Sequence, residues 1–328
     1  MKWSASPWFA LPLFWIACIG AGFVYTQQKD VPWDVAQRLI PAFLLEATLF
    51  LAIGVERWRT RLDRLPHWAI ALLMIPAAVA PYALASMPFH SFAWPSFWGI
   101  AGLAAILSFW YVLAPHNLFS DIGLLAIAAI VMLWRIDDAK IFAQFYIRPH
   151  PRLAVEVLGQ AMWIRTGLLA ILSVRRVEGV GFGFWPSKRE WLLGLAHFAA
   201  FLPVAWGVSW LIGFAKPHPP ASGWPTAIIL TFFGTLWVLA LGEELFFRGL
   251  LQRWMTQWLG NIWAGLIVTS LIFGSVHLWF NDFPNWRFAL LAAVAGLFYG
   301  NAFRMANSIR ASMVTHALTV TVWMTFFK

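Results

Sequence analysis

Cysteine is almost absent from this chain: Cys18 is the single one, which excludes a disulfide framework and a paired-cysteine metal knuckle. Charge is also scarce, at 11% of 328 residues, too little to coat the surface of a soluble domain of this size. A dinucleotide fingerprint is missing as well. The glycines of the connector Gly179, Gly181, Gly183 are followed by Phe184 where a third glycine would be needed, and no strand-like run precedes them. Apolar residues run continuously instead of alternating, which excludes a membrane β-barrel. The basic residues are scattered through short loops, so the formal net charge of +9 points to a membrane surface and not to nucleic acid.

What the chain does contain is apolar length. It is 61% hydrophobic, with 23 Trp and 29 Phe, and runs near the ~20 residues that cross a bilayer recur from end to end. They fall at 8–25, 39–55, 68–87, 96–114, 119–134, 153–174, 191–214, 226–247, 262–280, 287–303 and 311–327. The reading is all-α: a polytopic transmembrane helical bundle of about eleven spans, within a range of nine to twelve. Many tryptophans stand at run ends, where indole rings favour the headgroup level. The first run ends in Thr26 Gln27 Gln28 Lys29 Asp30 without a small-residue cleavage site, and reads as a retained anchor. Lysine and arginine, densest from Arg57 to Arg64, favour a cytoplasmic N-terminus. An integral protein of a bacterial inner (plasma) membrane is the expected location.

A boundary is expected near residue 152, in a polar stretch from Arg135 to Arg152 that has the character of an interfacial helix. Residues 1–152 hold about five spans and no recognisable constellation, Glu46 and Asp121 being the main ionisable groups. Residues 153–328 hold the chemistry. Glu243 and Glu244 interrupt an apolar run in Leu241 Gly242 Glu243 Glu244 Leu245 Phe246 Phe247 Arg248. A charged side chain at the centre of a bilayer costs at least ~2.5 kcal/mol, so such acids are paired, turned inward and functional. Glu244 and Arg248 share a helical face and can pair, whereas Glu243 points about 100° away. Arg248 therefore holds Glu244 ionised, and Glu243, in an apolar wall, suits a general base. His277 and His316 follow on later runs, each the sole histidine of its span. A carboxylate and two imidazoles suffice to activate water against a carbonyl. His67, His90, His116, His150, His197 and His218 lie near span ends or in loops without acidic company, and are read as packing residues.

Glu243 Glu244 xxx Arg248, then Phe273 xxx His277, then His316 Ala317, resembles the ordered motif set of the CPBP intramembrane proteases, which include the CAAX prenyl endopeptidases and relatives of the lysostaphin-resistance type. The connector Phe182 Gly183 Phe184 Trp185 Pro186 is similar to what often precedes that core. The resemblance covers roughly residues 153–328. It implies a helical membrane core in which Glu243 and His277 activate a water and His316 stabilises the oxyanion, with Glu244 and Arg248 as a positioning pair. It implies either a metallo-type enzyme, with a divalent metal such as zinc on Glu243, His277 and His316, or a metal-free glutamic type. One position departs from the pattern: the family commonly has Asn or Asp four residues after the last histidine, and this chain has Val320. Either a hydroxyl or another helix, through Asn301 or Asn307, substitutes for the missing amide, or the oxyanion site is weakened.

The expected function is intramembrane endopeptidase, cleaving a membrane-anchored protein or peptide at the lipid bilayer, with no nucleic-acid partner. The alternative is a non-proteolytic membrane protein, with a transporter-like, immunity or scaffold role, that retains the family core. The extra N-terminal spans would widen the bundle or recognise a partner's anchor.

Overall fold

A computed structural model describes residues 7–133, 135–136, 139–214, 216–220, 224–280 and 283–327. It divides into two compact units, Met1–Val177 and Glu178–Lys328. The run at 153–174, assigned from sequence to the catalytic core, thus packs within the first unit.

The first unit is built from α1 (Pro7–Gln28), α2 (Trp33–Gly54), α3 (Glu56–Leu62), α4 (His67–Ser86), α5 (Trp94–Leu113) and α6 (Leu118–Leu133). A minimal antiparallel pair, β1 (Arg135–Ile136) and β2 (Ala139–Lys140), then leads into α7 (Ile141–Phe145) and α8 (Val157–Leu169), which continues through a π-helical turn, Ala170–Val174. The polar stretch expected to form an interfacial helix thus holds a two-residue strand pair and a short helix; Asp137 and Asp138 lie outside the described residues. Two buried charge clusters tie the spans together. Arg165 on α8 makes a two-pronged pair with Glu46 on α2, at 2.7 and 3.0 Å, and donates to the Ala77 carbonyl of α4 at 2.8 Å. Arg175 donates to both oxygens of Asp121, which also accepts from the Tyr111 hydroxyl at 2.8 Å.

The second unit holds α9 (Lys188–Leu211), α10 (Trp224–Gly234), α11 (Ala240–Glu244), α12 (Arg253–Leu259), α13 (Ile262–Ser275), α14 (Trp286–Ala306) and α15 (Ile309–Phe326). Its helix starts are marked by side-chain caps that satisfy otherwise unpaired N–H groups. Ser187 and Glu190 form a capping box at α9, and Asn261, Asn285 and Ser308 cap α13, α14 and α15. The connector before α9 lies across the base of α15. Gly181, at φ 62°, sits where an added Cβ would be 2.4 Å from the Ser308 Cα, its carbonyl accepts from the Ser308 hydroxyl at 3.0 Å, and Ile309 N–H donates to the Val180 carbonyl at 3.0 Å. Here glycine is required both by a backbone conformation that disfavours side chains and by close approach. The start of α15 is held a second time by Arg310, which donates to Glu190.

Among the described residues, seven helices are long and apolar enough to cross a membrane, and Leu11–Gln27 and Leu118–Met132 are shorter apolar helices. The estimate of about eleven spans is therefore not reached. Two of the runs behind it have physical reasons to fall short. The run at 226–247 is broken into α and π segments, and α15 is diluted by Thr, Ser and His. The chain is an integral membrane protein.

Candidate active site

Both glutamates sit in α11, a five-residue α-helical segment between two π-helical stretches, Thr235–Leu239 and Leu245–Gln252. π-helical insertions recur at functional sites because they re-aim side chains within an otherwise regular helix. Across α11 the ordinary 100° step still separates the two acids. Glu244 turns fully inward, at 0% exposure, and Glu243 remains 31% exposed.

Glu244 is the hub. Its Oε1 accepts from Arg248 Nη1 at 3.2 Å and lies 2.8 Å from His316 Nδ1. An ionised carboxylate only accepts, so Nδ1 is the protonated ring nitrogen and Nε2 is left for other work. The charge of Arg248 is dispersed further: Nη2 donates to the Gly296 carbonyl at 3.2 Å, and the guanidinium lies over the rings of Phe273 and Tyr299, at 4.4 and 5.3 Å. One turn on, Gln252 donates to the Gly300 carbonyl at 3.0 Å. Gly296 and Gly300, spaced as small-xxx-small, bring the α14 backbone within reach of both side chains.

His316 is clamped on three sides. Glu244 holds Nδ1, the Tyr299 ring stacks on its face at 4.6 Å and 16°, and the Phe273 ring approaches edge-on at 6.0 Å. The helix carrying it is set close to α9 because Gly194 leaves room for Val314, and Thr315 donates to the Gly194 carbonyl at 3.0 Å. His316 Nε2 then stands 3.9 Å from Glu243 Oε2, near enough for one water to touch both atoms. Glu243 Oε2 is buried without a hydrogen-bond partner.

His277 belongs to a 3₁₀ turn, Val276–Trp279, at the end of α13, and its Nδ1 donates to the Phe273 carbonyl at 2.7 Å, leaving Nε2 as an acceptor. The turn is braced by Asn285, whose N–H and side chain donate to the Leu278 and Phe280 carbonyls. Glu243 and His277 line one cavity of about 290 Å³, walled by Phe247, Val276, Trp279 and Phe280. Four of the five candidate residues, Glu243, Glu244, Arg248 and His316, form one contact network, and His277 joins them through the cavity it shares with Glu243.

Among the described residues, no three His, Cys, Asp or Glu side chains are grouped closely enough to hold a metal ion. Glu243, His277 and His316 are thus not drawn together as a group of three among the described residues. The two asparagines weighed against Val320 have other places in the fold. Asn301 is engaged with His197 Nε2 at 3.0 Å and Arg304 at 2.9 Å, and Asn307 ends α14 in a left-handed conformation. The side chain beside His316 is the phenol of Tyr299, which Thr319 also neighbours.

Tyr299, Gln252, Gly296, Gly300 and Asn285 do not stand out in a motif reading. Signals for them exist nonetheless: tyrosine is one of only 5 in an aromatic-rich chain, a mid-helix phenol needs polar company, and Glu244, Arg248 and Gln252 recur at intervals of four.

No curated protein and no solved structure matches the chain. Residues 224–322, which hold every candidate residue, match the family model described as type II CAAX prenyl endopeptidase Rce1-like. Over that segment, a minority of the chain, the protein is similar to the CAAX-type endopeptidases of the CPBP family.

Proposed function

We propose that the second unit hydrolyses a peptide bond of a membrane-anchored polypeptide, using water activated by Glu243. The observation that carries this reading is the cavity shared by Glu243 and His277, with His316 Nε2 at 3.9 Å from the same glutamate. Water in this space donates one hydrogen bond to Glu243 Oε2 and another to His277 Nε2. As the water oxygen bonds to the scissile carbonyl carbon, Glu243 takes its proton and the carbonyl oxygen becomes an oxyanion. His316, whose Nδ1 proton is held by Glu244 and whose face is held by Tyr299, serves that oxyanion as an imidazolium, donating its second proton, on Nε2, in a hydrogen bond. A preorganised donor of this kind contributes about 2.7–4 kcal/mol of transition-state stabilisation. Collapse of the intermediate breaks the C–N bond, and the proton held by Glu243 passes to the leaving nitrogen. The products are an amine and a carboxylic acid, and Glu243 returns to its starting state.

Glu244 and Arg248 hold the geometry and do not touch the substrate. A carboxylate base from Glu243 and donors from histidine make the proposed reaction one of the glutamic type. The substrate needs only an apolar anchor that keeps its scissile bond at the cavity mouth. A bacterial plasma membrane with the N-terminus in the cytoplasm remains the favoured setting. The test is the full chain in lipid nanodiscs with internally quenched reporter polypeptides that carry an apolar anchor segment. The wild type cleaves at least one of them, and Glu243→Gln and His277→Ala do not; cleavage undiminished in either variant overturns the reading.

A further inference from the structure

At one end of the first unit, arginine and histidine side chains from three separate pieces of chain come together, and among the described side chains none of the arginines is ion-paired. α3 and the turn after it supply exposed Arg57, Arg61 and Arg64. The start of α4 supplies His67, the α5–α6 connection supplies His116, and the end of the unit supplies Arg176. The rings of His67 and His116 stack at 6.0 Å and 26°. Arg176 Nη2 donates to the Asp63 carbonyl at 2.9 Å, which fixes the guanidinium beside His67. Arg176 adopts φ 56°, a left-handed conformation unusual for a residue with a side chain. Such strain persists where the surroundings hold it and is enriched at functional positions.

None of the described acids nearby is ion-paired with these arginines. Asp121 is engaged with Arg175 and Tyr111, and Asp63 turns its Oδ1 into the protein. Among the described side chains, no ion pair is formed by Arg57, Arg61, Arg64 or Arg176. His116 Nε2 donates to the Tyr111 carbonyl at 3.0 Å, which fixes the ring that stacks on His67. Exposed Trp58 and Trp68 flank the cluster, and it lies between the end of the span Trp33–Gly54 and the start of the span His67–Phe89. That is the level at which indole rings and phospholipid headgroups meet.

We propose that this cluster binds the phosphate of an anionic phospholipid headgroup, with Arg61, Arg64 and Arg176 supplying charge and His67, stacked on His116, supplying a directed hydrogen bond. Trp58 and Trp68 place their rings against the adjoining acyl chains and glycerol region. The site would favour a net-negative headgroup over a zwitterionic one, whose own cation is repelled by the arginines. It does not depend on the proteolytic reading of the other unit.

The experiment reconstitutes the full chain in nanodiscs of phosphatidylcholine mixed with phosphatidylglycerol, then scores the lipid retained on the released protein by native mass spectrometry. Phosphatidylglycerol is expected to be retained preferentially. Each of Arg61→Gln, Arg64→Gln and Arg176→Gln should lower the preference about fivefold, and His67→Gln with His116→Gln should lower it further. Arg38→Gln is the control, because Arg38 is an exposed arginine in the first turns of α2, roughly 24 Å along the helix from its other end. The proposal is overturned if the triple arginine variant keeps the wild-type preference, or if Arg38→Gln loses as much. It is overturned equally if inorganic phosphate displaces the lipid where chloride at the same ionic strength does not, since the site then takes a soluble anion.

Discussion

His316 Nδ1 and Glu244 Oε1 are 2.8 Å apart although 72 residues separate them in sequence, and the same oxygen receives Arg248. One buried atom therefore fixes both the compensating charge and the orientation of the imidazole. Breaking a buried ion pair from one side leaves an uncompensated charge. Arg248→Met is expected to destabilise the protein by about 3–5 kcal/mol. Adding Glu244→Gln to that variant should recover part of the loss, while turnover stays low because His316 has lost its acceptor charge. Unfolding in detergent of the two single variants and the double variant measures the coupling.

Glu243 should behave in the opposite way. Its Oε2 has no partner and its side chain reaches the cavity, so Glu243→Gln should alter stability by no more than about 0.5 kcal/mol. Cleavage of the reporter should fall at least about a hundredfold. Equal losses of stability in Glu243→Gln and Glu244→Gln would contradict the division of labour between the two acids.

Tyr299 gives a finer test of how His316 is held. Tyr299→Phe keeps the stacked ring and should retain turnover. Tyr299→Leu keeps apolar bulk but removes the ring face, and kcat should fall by about tenfold, the upper end of a ring–ring contact of roughly 0.5–1.5 kcal/mol. KM should not move, because Tyr299 does not line the cavity.

Gly274 governs the approach of α13 to α14. A Cβ placed there would lie 2.5 Å from the Ala289 carbonyl oxygen and 2.6 Å from the Ala293 Cβ. Neither neighbour is a flexible chain end, so Gly274→Ala should cost about 1–3 kcal/mol. It should also reduce turnover by shifting His277, three residues on; thermal unfolding and the reporter assay read the two effects separately.

The class of protein was legible because composition and run length are local properties: a chain this apolar has few solutions other than a helical membrane bundle. Glu244 and Arg248 were legible together for the same reason, being one helical turn apart. The span count was harder to read, since an apolar run does not disclose where the helix carrying it turns π-helical, as at Thr235–Leu239. Nor could sequence spacing tell that Asn301 is committed to His197, or that Arg165, isolated inside its run, is matched with Glu46 119 residues away. Such pairings are set by how helices pack, and the chain carries only half of each at any one place. His316 toward Glu244 is of this kind too; the motif order suggested company, and the rotation of α15 imposed by Gly194 and Thr315 supplies it.

The carbonyls of Gly296 and Gly300 receive Arg248 and Gln252. A main-chain oxygen is present whatever the side chain, so evolution cannot delete these acceptors by point mutation; it can only obstruct them by adding bulk. The tolerance of α14 to sequence drift should therefore be uneven, wide on its lipid-facing side and close to nil at two positions whose contribution is to have no side chain at all.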